Sequence, residues 1–106
     1  MDLKLLTNNI YSFFYVIIIL VKYMEDKYYE LHRLTSMNEE MLRDRECVCI
    51  YCKKSFGYNE IIDYIPDSDG LTAVCPFCGM DSVLPKEYNG YVISDDDLDN
   101  LNREYF

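Results

Sequence analysis

The stretches Cys49-Ile50-Tyr51-Cys52 and Cys75-Pro76-Phe77-Cys78-Gly79 decide how this chain is read. Each holds two cysteines three positions apart, the spacing at which a tight turn aims two sulfurs at one ion. Structural Zn²⁺ takes four tetrahedral ligands and favours thiolate among them. The expected metal ligands are therefore Cys49, Cys52, Cys75 and Cys78, holding one structural zinc. Glycine after the second cysteine suits such a turn because it adopts positive φ without strain. Gly79 meets this demand, whereas Lys53 stands at the matching place of the first pair, where its cation can offset the negative charge of four thiolates around a divalent ion.

Between the pairs lie 22 residues, slightly more than this pattern usually has and enough for two strands and a turn. Ser55-Phe56 continues out of the first turn. Glu60–Ile65 is β-branched and aromatic, residues 66–70 are turn-forming, Leu71–Val74 leads into the second pair and Ser82–Leu84 leads out. The layout predicts a zinc ribbon of two β-hairpin knuckles over residues 47–85, in a small α+β, metal-stabilised domain flanked by short helices. A core this small draws much of its stability from the ion.

Of the five cysteines, Cys47 is left over, either as a spectator thiol or as a ligand that swaps in. An odd count in two C-x-x-C pairs reads as a metal site in a reducing compartment, rather than as the disulfide framework of a secreted protein.

Outward from this core, residues 24–46 read as helical. Tyr28, Tyr29 and Leu31 lie broadly on one side. Ser36 followed by Glu39 matches a capping box, opening a short helix over about 37–45 with Met37, Met41 and Leu42 on one face. His32, the single histidine, is read as packed or solvated, since four sulfurs already complete a tetrahedron. Residues 86–106 form a strand from Gly90 to Ile93 and a helix capped by Ser94. The run Asp95-Asp96-Asp97 is read as a solvated helix start that favours the macrodipole, and Leu98, Leu101 and Tyr105 face the ribbon.

Residues 1–23 are different in kind. Ile10–Val21 is almost wholly apolar and without periodicity, yet short of the ~20 residues that span a bilayer. Three readings stay open: a short membrane anchor, an apolar segment packed on a partner, or a leader ahead of a start at Met24. An anchor would leave the zinc core in the cytosol, because Lys22, Lys27 and Arg33 follow the span and only Lys4 precedes it. The net charge of −9 removes the long-range attraction on which nucleic-acid binding depends. Lys53-Lys54 is the only adjacent basic pair, although Tyr51, Tyr58 and Phe77 are rings that stack on bases in other proteins. No Ser/His/Asp set, glycine-rich phosphate loop or open metal position is visible in the sequence.

From Arg45 to Phe106 the chain resembles a group of small, uncharacterised bacterial cytoplasmic proteins of zinc-ribbon type. The shared stretches are Cys47-Val48-Cys49-Ile50-Tyr51-Cys52, then Phe56, Glu60-Ile61 and Thr72 through Leu84, and finally Gly90–Ile93 and Tyr105-Phe106. The chain departs from that group at Val48, where glycine is usual, and at Tyr64, where tryptophan is; neither position is a ligand. The resemblance implies a cytoplasmic protein with no established biochemical activity and does not reach residues 1–23. The expected function is a zinc-binding, non-enzymatic interaction or adaptor module with a protein partner. The alternatives are an iron electron-transfer protein, since Cys75–Gly79 also resembles a rubredoxin knuckle, and a nucleic-acid-binding ribbon.

Overall fold

The computed structural model describes residues 10–106. The apolar run and the polar residues after it form one continuous helix, α1 (Ile10–Arg33). It therefore crosses the compositional boundary at Met24 without a break, and at 24 residues it is not the short flanking helix expected. Its first half is rich in β-branched and aromatic residues, which are weak helix formers, while the stretch from Met24 supplies the straight-chain Met, Glu, Lys and Leu that favour a helix. His32 and Arg33 complement the dipole in its last turn. It ends where the Thr35 hydroxyl donates to the His32 carbonyl at 2.7 Å and the Asn38 side-chain amide donates to the Leu34 carbonyl at 3.0 Å. Residues Phe13–Val21 project from the domain, each at least 40 % exposed. Among the described residues no helix is long and apolar enough to cross a membrane; residues 1–9 of the segment 1–23, read as a leader or anchor, lie outside the described ones.

One turn of helix, α2 (Glu39–Leu42), follows. It is shorter than expected, and Ser36 does not cap it. Asn38 is the N-cap residue without a side-chain capping bond, because its amide is committed elsewhere. It donates to the Val83 carbonyl at 2.8 Å and accepts from the Ala73 N–H at 3.0 Å, tying two strands together from a position 1 % exposed. Glu39, freed from capping, is held by Arg43 and Tyr58. Of the expected face only Leu42 is fully buried; Met37 turns outward at φ +49°.

Strands β1 (Glu46–Cys49), β2 (Ser55–Gly57), β3 (Tyr64–Asp67), β4 (Gly70–Ala73), β5 (Val83–Pro85), β6 (Glu87–Tyr88) and β7 (Tyr91–Val92) come next, and helix α3 (Asp95–Tyr105) closes the chain. The order β2-β1-β5 makes one antiparallel sheet, while β3-β4 and β6-β7 are hairpins. Glu60 belongs to a 3₁₀ turn, Tyr58–Glu60, where its carboxylate accepts from the Gly57 N–H at 2.7 Å; the expected strand therefore starts late, at Tyr64. Pro66 and Asp67 extend β3, leaving Ser68-Asp69 as the turn. Gly70 suits that corner because a side chain there would come within 3.2 Å of Met37 Cβ. The last hairpin turns at Asn89-Gly90, with φ +51° and +79°, so the strand expected from Gly90 begins at Tyr91. Asn-Gly is the strongest signal for a two-residue primed turn.

The three-stranded sheet separates two cores because its side chains alternate. Cys47 and Cys49 of β1 and Val83 of β5 face one cluster with Leu42, Phe56, Ile61, Ala73 and Cys75. Val48, Ile50 and Leu84 face the other with Leu31, Ile93, Leu98 and Leu101. The Tyr28–Leu31 face of α1 is thus seated on α3, and Tyr29 points out, 56 % exposed. Tyr105 stacks on His32 at 4.1 Å, which is the packed role expected of the histidine.

Candidate metal centre

The first cysteine pair lies where β1 turns into β2, and the second lies in the connection from β4 to β5. Both adopt one hydrogen-bond pattern. In the first, the Lys53 N–H donates to the Cys49 carbonyl at 2.9 Å and the Cys49 N–H to the Lys54 carbonyl at 3.1 Å. In the second, the Gly79 N–H donates to the Cys75 carbonyl at 3.0 Å and the Cys75 N–H to the Met80 carbonyl at 2.9 Å. Lys53 reaches the conformation glycine supplies in the other knuckle, with φ +62° against +80° at Gly79. Its ammonium pairs with Asp99 of α3, so the charge read as an offset for the sulfurs is taken by a carboxylate. Only the first knuckle joins mutually paired strands: β5 pairs with β1 and β4 with β3, so the second knuckle bridges two sheets rather than capping a hairpin.

The four Sγ atoms of Cys49, Cys52, Cys75 and Cys78 lie within 4.8 Å of one another. Across the knuckles Cys49 Sγ is 3.6 Å from Cys78 Sγ, and Cys52 Sγ is 3.7 Å from Cys75 Sγ. A tetrahedron with Zn–S bonds of about 2.3 Å has edges of about 3.8 Å. The donor set and its spacing therefore fit a tetrahedral thiophilic cation, and the chain carries a site able to hold a metal ion.

No family model, curated protein or solved structure matches the chain.

The four sulfurs are not equivalent. Cys49 and Cys75 are buried, Cys52 is partly buried and Cys78 is exposed. Burial pushes the Cys49 thiol up, but the Cys52 N–H, the Ser82 hydroxyl 3.2 Å away and the Cys78 thiol outweigh it and hold Cys49 below the ordinary thiol range. Burial and the neighbouring sulfurs push Cys78 up to about 12 and raise Cys52. Cys49 is thus the readier thiolate, while Cys52 and Cys78 resist joining it; a divalent cation at the centre removes that resistance.

Two contributors escaped the spacing argument. Ser82, fully buried against Cys49, has no motif to announce it. The Phe77 N–H lies 3.4 Å from Cys75 Sγ, a backbone donor that the C-x-x-C turn brings with it. Cys47 lies in the same apolar core but outside the four-sulfur cluster; its Sγ rests 3.7 Å from the Arg45 carbonyl, and burial together with Glu46 pushes its thiol up to about 11.

Proposed function

We propose that the chain is a small zinc-binding, non-enzymatic interaction module of the zinc-ribbon kind, working with a protein partner in the reducing cytoplasm. The observation that carries the reading is the convergence of two knuckles with one hydrogen-bond pattern on four sulfurs within 4.8 Å. Four protein thiolates fill a tetrahedral shell and leave no position for a water or substrate, which suits a structural ion. Free thiols in this number suit a compartment that keeps them reduced. Both knuckle tips present a ring to solvent, Tyr51 at 53 % and Phe77 at 51 % exposure, which suits recognition of another protein. The charge of −9 weighs against nucleic acid.

Ligand type alone does not separate zinc from iron, since both accept four thiolates. Elemental analysis of the reduced, folded protein is expected to return one zinc per chain, in a colourless solution. A red solution with one iron per chain would replace the reading with electron transfer. Folded, reduced protein without metal would end it.

A further inference from the structure

Each knuckle offers one buried and one more accessible sulfur, and the contacts across the cluster pair them in opposite senses. Exposed Cys78 meets buried Cys49 at 3.6 Å, and partly buried Cys52 meets buried Cys75 at 3.7 Å. Each sulfur that solvent can reach therefore has a protected sulfur in contact, on the other knuckle. A disulfide bond is ~2.05 Å long, so each pair must close further before it is joined.

We propose that the cluster is a redox switch of two successive two-electron steps, in which one peroxide joins Cys49 to Cys78, a second joins Cys52 to Cys75, and the metal is discharged. In the first step the Cys78 thiolate attacks a peroxide oxygen. The O–O bond breaks, Cys78 becomes a sulfenic acid, and hydroxide leaves. The Cys49 thiolate then attacks the Cys78 sulfur; the S–S bond forms, the S–O bond breaks, and a second hydroxide leaves. Two thiolates lose two electrons, the peroxide gains them, and two solvent protons convert the hydroxides to water. The ligand set falls to two thiolates, too few for tight zinc binding. A second peroxide does the same at Cys52 and Cys75. The new bonds run between the knuckles, so covalent links take over the ion's place in holding them together. Cys47 takes no part, because it is buried and lies outside the four-sulfur cluster.

The discharge half rests on the zinc reading above, and the linkage half does not. The test treats the reduced full chain, as purified, with hydrogen peroxide. Zinc is read with a chromogenic chelator, and disulfides are mapped by non-reducing peptide analysis. The expected result is one equivalent of zinc released, with Cys49–Cys78 and Cys52–Cys75 links, Cys47 unlinked, and both effects reversed by dithiothreitol. Zinc retained after oxidation, links within the pairs 49–52 and 75–78, or sulfinic acid at Cys78 without a link would each overturn the proposal. Metal-free protein that still forms the crossed links would remove the zinc reading and leave the linkage standing.

Discussion

Asp97 carries a carboxylate into a position 3 % exposed, and every partner it needs is there. One oxygen accepts from Lys27 Nζ at 3.0 Å and the Tyr28 hydroxyl at 3.2 Å; the other accepts from the Tyr91 hydroxyl at 2.7 Å and the Ser94 N–H at 3.0 Å. Four donors from α1, β7 and the cap of α3 thus meet on one side chain. Burial pushes this carboxyl up, but the bonds from Ser94, Tyr91 and Lys27 outweigh it and hold it down at about 2. The unfolded value is about 3.9, so the contribution to stability is complete above about pH 4, fades as pH falls, and is gone near pH 2; its size is on the order of 2 kcal/mol. Asp97→Asn is expected to lose about that much at neutral pH. Urea unfolding of wild type and variant side by side should show the gap closing between about pH 4 and pH 2. A gap that stays constant would mean the charge is not what the site uses. The sequence shows Asp97 as one of three like residues in a row, set apart locally only by standing three after Ser94, the reciprocal place of a capping box; Lys27 and Tyr91, which bury it, meet it through the fold. Lys53 is equally hidden, since a lysine gives no sign that it will take a glycine's backbone.

At the scale of elements, what was legible was local. The two knuckles follow from cysteine spacing. The Ser94 cap follows from its place ahead of an acidic turn, and its hydroxyl accepts from the Asp97 N–H at 3.2 Å. The same pattern misled at Ser36 and Glu39, because Asn38 is drawn into bonds with Val83 and Ala73, some 35 to 45 positions away. Strand partners were likewise out of reach: nothing in residues 71–84 says that β4 turns to β3 while β5 turns to β1. The C-terminal helix gives the clearest test of the packing. Leu101 is fully buried among Leu31, Val48, Ile50 and Leu84, on the sheet face away from the sulfurs. Leu101→Ala is expected to cost roughly 2–5 kcal/mol in denaturant unfolding. Metal content should stay at its wild-type value, since the cavity opens in the other core. Parallel loss of metal and helix would show that the two faces are not separable.

For the whole molecule, the division into two cores predicts how it comes apart. The sulfur cluster holds one core, whereas the other is built of aliphatic side chains and pinned by Asp97. Stripping the metal with a strong chelator under reducing conditions is expected to abolish amide-exchange protection at Cys49, Lys53, Cys75 and Gly79. The Leu98 N–H, bonded to the Ser94 carbonyl at 3.1 Å, should stay protected. Simultaneous loss at all five would mean a single cooperative unit. Composition could not reveal this division; it gives a charge and a cysteine count, whereas the partition depends on alternate residues of one strand. That strand sets a limit on how the gene can change. In β1, Cys47 and Cys49 face the core that holds the sulfur cluster, while Val48 and Ile50, just beyond its end, face the core under the helices. Inserting or deleting one codon there would exchange the two sets, pointing a thiol at Leu98 and an isoleucine at the sulfur cluster. Drift in length is open at the Ser68-Asp69 turn, whose residues are exposed, and closed in β1, where a single-codon indel would misplace every buried side chain at once.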